Sequence, residues 1–101
     1  MAQFDVHRTR AGASYPLVVD IQAGIHAKLA TRLVVPMVTR ARYAVPATRL
    51  TPIVEVRDTA YVALFPLMAA VPSASLGEHV GSLASERGIL IAALDLLVAG
   101  S

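Results

Sequence analysis

The residues able to support chemistry in this chain are few and scattered. His7, His26 and His79 are metal ligands or proton carriers by type. No two of them stand four apart, the interval that sets a pair of ligands on one helix face. Asp20, His26 and a serine can be drawn as a hydrolytic triad. However, no Gly-x-Ser-x-Gly elbow surrounds any serine, and a single acid in a strand is ordinarily held by backbone amides or by an arginine. Gly77, Gly81 and Gly88 lack the strand, glycine-rich loop and following Lys-Ser/Thr of a phosphate cradle, so they read as turn and helix-start residues. Met37 and Met68 read as core fillers within strands. The absence of cysteine excludes a disulfide scaffold and a thiolate-bound zinc, and it fits a reducing, cytoplasmic setting. These residues predict no catalytic centre, no metal and no cofactor. The expectation is a protein that acts by binding.

Composition points the same way. The 101 residues are 55% hydrophobic and only 16% charged, against about 25% charge in an ordinary soluble domain. A domain this small buries only about two-thirds of the surface of its unfolded chain. Part of the apolar excess is therefore expected to meet a second chain, most simply a copy of itself. No unbroken apolar run reaches the 18 or so residues of a membrane span: the longest, 88–94, stops at Asp95. The first ten residues mix acid, base and histidine, unlike a secretion signal. Nine basic residues oppose seven acids. No acid lies between Asp20 and Glu55, while Lys28, Arg32, Arg40, Arg42 and Arg49 all do. That distribution predicts one positive side, either simply solvated or suited to an acidic protein segment or nucleic acid.

The elements that must position these residues form one domain, 1–101, β-rich over 1–76 and helical over about 85–98. Runs 15–22 (YPLVVDIQ) and 32–39 (RLVVPMVT) are rich in β-branched residues and flanked by turn formers. Runs 50–57 and 61–68 read as a hairpin around Asp58-Thr59-Ala60. Within its first arm Pro52, Val54 and Val56 share one face, and Ile53, Glu55 and Arg57 the other. Pro36, Pro52 and Pro66 interrupt these runs, so each is expected at an edge, a bulge or a strand end. Short, bent strands predict a small barrel. Ser82 and Ser85 are candidate N-caps for a final helix. That helix, about 20 Å long at about 1.5 Å per residue, is apolar nearly all round from Ile89 to Val98 and must be covered on more than one side. Leu94 and Leu97 are expected in helix packing and at a dimer interface.

The order of residues resembles the CcdB family along essentially the whole chain. The resemblance runs through Gln3-Phe4, Tyr15 with Leu17-Val18-Val19-Asp20-Ile21-Gln22, and Arg32-Leu33-Val34-Val35-Pro36. It continues through 50–56, Met68-Ala69-Ala70-Val71-Pro72, Gly77-Glu78 and Leu83 to Ala93, Leu94, Leu96 and Gly100. It implies a mainly β fold with one C-terminal α-helix, a CcdB-like, SH3-like small β-barrel in a homodimer. It also implies the toxin of a toxin–antitoxin pair, which binds the A subunit of DNA gyrase and traps the enzyme on cleaved DNA. A CcdA-like antitoxin would neutralise it through a disordered, acidic tail. The pair would repress its own operon, with DNA contacted only through the antitoxin.

By that resemblance the target contact falls on Ile25, His26, Asp95, Ala99, Gly100 and Ser101. The family's pattern there is two consecutive isoleucines in a loop, and an Asn one helical turn before a Trp-Gly-Ile ending. This chain keeps only Ile25 and Gly100. Loss of a buried aromatic anchor commonly costs about 2 kcal/mol or more of binding. A second expectation follows: a binding module of the same fold that no longer poisons gyrase, or has changed target, and works through antitoxin binding and operon regulation.

Overall fold

The structure, a computed structural model, describes residues 2–10, 13–26 and 28–100. The strands in chain order are β1 (Asp5–Arg8), β2 (Leu17–Asp20), β3 (Thr31–Thr39), β4 (Ile53–Val56), β5 (Thr59–Ala63), β6 (Ala69–Pro72) and β7 (His79–Ser82), and the helix α1 (Arg87–Ala99) follows them. They form one antiparallel sheet in the order β4-β5-β3-β2-β1-β7, with β6 beside the first half of β3. The fold is thus mainly β with one C-terminal helix, and the sheet curls into a half-barrel.

β3 organises both faces. Val35 and Met37 join Val6, Leu17, Val19, Val54, Val56 and Phe65 in the main core, which α1 closes with Leu90 and Ala93. The alternate residues of β3 face the other way. There Val38 packs with Val62 and Leu64, flanked by Tyr15 and Tyr43. The alternation expected in the 50–57 run is observed: Val54 and Val56 are buried, Ile53 and Glu55 exposed.

Pro36 lies inside β3, which has neighbours on both sides, and not at an edge. It is tolerated because β6 pairs with residues 31–34 and β5 with 37–39. The Pro36 carbonyl points into the break between them and accepts the Leu64 amide at 2.9 Å. A strand residue's N–H and C=O point the same way, so the donor that proline lacks falls where no ladder exists.

The sheet closes on itself without a ladder. Val56 of β4 lies against Gly81 of β7, and Arg57 Nε donates to the Val80 carbonyl at 3.0 Å. The β4–β5 turn that carries Arg57 is a two-residue one. Arg57 (φ 49°) and Asp58 (φ 65°) are both left-handed, the geometry that matches the twist of a hairpin. The expected loop Asp58-Thr59-Ala60 is corrected accordingly, since Thr59 and Ala60 already pair in β5.

Other boundaries also move. The second arm ends at Ala63, because Pro66 opens a 3-10 turn over Phe65–Leu67; Met68 follows this turn, outside any strand. The β region extends beyond 76 to β7, so Gly81 is a strand residue. Gly77 does serve a close approach: a Cβ there would lie 2.7 Å from the Arg8 carbonyl oxygen. Gly88 lies in the first turn of α1. Neither serine caps α1. Glu86 precedes it with no side-chain cap bond, and Ser82 Oγ accepts the Ala84 amide at the entrance of the 3-10 turn Ala84–Glu86. Gly100, at φ 78°, ends α1 with its amide on the Leu96 carbonyl.

Candidate functional site

Ile25 sits on a one-turn 3-10 helix, Gly24–His26, in the excursion that joins β2 to β3. Its side chain is 87% exposed, more than any other large apolar residue described. Such exposure has no stabilising role within the chain. Both ends of the excursion are anchored. At its start the Ile21 amide bonds the Leu33 carbonyl, and at its end the Leu29 and Ala30 carbonyls accept Ser73 Oγ and the Ser73 amide. His26 closes the same short turn.

The second part of the expected contact lies at the end of α1. Asp95, Ala99 and Gly100 are all exposed there; Ser101 lies outside the described residues. Val98, 70% exposed, belongs to the same end and was not singled out from the sequence. No hydrogen bond or ion pair of the described residues joins Gly24 and Ile25 to the end of α1. Leu94 and Leu97 are half-buried against the main core of their own chain. The helix is covered on one side, with Leu90 and Ala93 inward and Ile89, Ala92 and Val98 outward.

Asp20 is not available to a hydrolytic triad. It and Arg32 are both fully buried, with Arg32 Nε donating to Asp20 Oδ2 at 2.7 Å. Arg32 therefore leaves the positive side expected between Asp20 and Glu55, which keeps exposed Lys28, Arg42 and Arg49 and the half-buried Arg40. A different basic surface appears instead. A groove of about 370 Å³ on the outer face of the sheet is floored by Val18, Val34 and Val71, with Arg8 and Arg10 on its wall.

His7 and His79, distant in sequence, are cross-strand neighbours on β1 and β7. Their rings meet edge to face at 5.5 Å. His7 is buried with Nδ1 3.1 Å from the Gly77 carbonyl, and His79 Nε2 lies 3.2 Å from Asp5 Oδ1. Strand pairing of β1 with β7 was the missing signal. Among the described residues no group of three His, Asp or Glu side chains could hold a metal ion, and no helix is long and apolar enough to cross a membrane.

The chain is thus a small domain in which a curled antiparallel sheet is closed by one helix, with exposed apolar side chains on a loop and at the helix end. The family model described as CcdB protein matches residues 3–100, and the chain belongs to the CcdB family. A solved structure described as an endoribonuclease in complex with its cognate antitoxin, from mycobacterial species, has the same fold. It superposes with a TM-score of 0.74 at 16% identity, covering 98% of this chain and 96% of that one. No curated protein sequence matches.

Proposed function

We propose that this chain is the toxin of a toxin–antitoxin pair, acting in the cytoplasm as a homodimer with the SH3-like barrel of its family. Its target is the A subunit of DNA gyrase, and a CcdA-like antitoxin neutralises it and represses the operon with it. The observation that carries this reading is the family match over 3–100 together with the projection of Ile25. The outer groove supports an antitoxin partner, because the exposed Arg10 beside the half-buried Val71 suits a segment that is acidic and partly apolar, Arg8 there being paired with Glu78. Action by binding, not catalysis, is part of this reading; the engagement of Asp20 with Arg32 removes the one triad that the sequence let be drawn. The antitoxin in the mycobacterial structure is consistent with such a partner for this fold.

Purified protein with gyrase and DNA is expected to accumulate cleaved DNA. No cleavage at micromolar protein would overturn gyrase poisoning, and cleavage of RNA under the same conditions would overturn the non-enzymatic reading. The second reading, a module acting only through antitoxin and operon, is favoured by the exposed Asp95 and the small Ala99-Gly100 ending. It predicts that Ala99→Trp with Ser101→Ile confers gyrase cleavage on an otherwise inactive protein. An adjacent reading frame encoding a ribbon-helix-helix start and an acidic tail is expected under both readings.

A further inference from the structure

Ile25 is useful as a contact only if its direction is set beforehand, because ordering a loose loop on binding subtracts from affinity. The root of its excursion is gripped by a buried polar cluster. Asp20 Oδ1 accepts the Gln22 amide at 2.9 Å, and Arg32 Nη2 donates to the Gln22 carbonyl at 3.0 Å. The Gln22 side chain turns back, its Oε1 taking the Leu33 amide at 3.0 Å. Gln22 is thus held at its amide, its carbonyl and its side chain, three positions before Ile25. One residue earlier, the Ile21 carbonyl accepts Gln3 Nε2, and Gln3 Oε1 accepts Arg87 Nη1 in the first turn of α1. The root is therefore tied to the element that ends in Ala99 and Gly100.

Burying two charges is a poor route to stability, since apolar residues of similar volume often hold a fold as well or better. What apolar residues cannot do is grip the main chain of Gln22. We propose that Asp20, Arg32 and Gln22 are positioning residues that fix the direction of Ile25 and so preform the target contact. This rests on the reading of Ile25 as a contact residue.

The test separates local order from stability. In the parent protein, ¹⁵N order parameters of residues 22–25 are expected near the value of rigid backbone, about 0.85. In Asp20→Leu/Arg32→Met they fall below about 0.6, and in Gln22→Ala they fall part of the way. The thermal midpoint is expected to move by less than about 4 °C in both. Binding to purified gyrase A subunit weakens at least about tenfold in the double variant, mainly through faster dissociation, as it does in Ile25→Ala. Order parameters already below about 0.6 in the parent, or unchanged in a folded variant, overturn the proposal. So does undiminished binding by a variant whose loop has loosened. Should the double variant fail to fold, Gln22→Ala, which retains the ion pair, decides by the same readings. A parent protein that does not bind gyrase removes the gyrase reading, while the order parameters still decide whether the cluster fixes the turn.

Discussion

Removing one member of the Asp20–Arg32 pair leaves the other charge without its counter-ion at a fully buried site. Asp20→Asn or Arg32→Met alone is therefore expected to cost about 3–5 kcal/mol, read from the midpoint of urea unfolding. The exposed pair Arg8–Glu78, with Nε 2.8 Å from Oε1, is the contrast. Water and salt screen it, so Glu78→Gln is expected to change stability by less than about 1 kcal/mol. The same separation of roles explains what the sequence could say about Asp20. Its residue type in a strand favoured backbone amides or an arginine over a catalytic histidine, without naming which arginine. Only the register of β2 on β3, which sets Asp20 opposite Val34 and diagonal to Arg32, decides between them.

At the scale of elements, the β4–β5 hairpin offers a sharp comparison. Asp58 and Arg57 both occupy left-handed backbone, where a side chain costs about 1–2 kcal/mol relative to glycine. Asp58→Gly is expected to stabilise by about 1 kcal/mol, whereas Arg57→Gly loses the bond to Val80 that closes the sheet and gains nothing net. Thermal unfolding of the two variants side by side checks this. On α1, Leu90→Ala opens the main core and is expected to cost about 2–5 kcal/mol. Ile89→Ala, one residue away on the outward face, is expected to cost much less in the monomer. Comparable losses from both would mean that the outward face is covered, and a concentration-dependent midpoint would attribute the cover to a second copy.

Much of this was legible from residue order. The alternation 53–56 and the long apolar run after Arg87 follow directly from side-chain period, and both elements stand within three residues of expectation. β1 and β7 were not legible, because their four residues, Asp-Val-His-Arg and His-Val-Gly-Ser, carry one valine each and so show no alternation. Their pairing is a long-range choice, and with it the meeting of His7 and His79. Pro36 misled for a related reason: a proline's tolerance depends on which neighbour stops where, and that is a property of three strands at once. Of the candidate contact, Ile25 and the helix end were named from the family resemblance and are exposed, whereas Val98 and the Gln22 grip needed the fold.

On the scale of the whole molecule, the apolar excess is now divided. One share fills the main core and the smaller cluster behind β3. The remainder is displayed, by Ile25 and Leu29 beside the β2–β3 connection, by Leu67 after β5, and by Ile89 and Val98 on α1. On the proposed function, the target, the antitoxin and a second copy would each cover part of this exposed hydrocarbon. Sheet topology adds a further condition. β1 lies between β2 and β7, so one of its two ladders joins the opening residues to residues near the end. A truncation after residue 76 removes that ladder, the Arg57 bond and the cover supplied by Leu90 and Ala93. It is expected to show no cooperative unfolding transition by circular dichroism.

The β1–β7 pairing also sets an order in time. β1 is made well before β7 and must wait for this second neighbour. Contacts so distant in sequence form late and slowly. Ile25 and its turn leave the exit tunnel early, yet the frame that aims them is incomplete until β7 and α1 have followed. On the function proposed above, a chain that has not yet paired β1 with β7 does not yet hold its target contact in place.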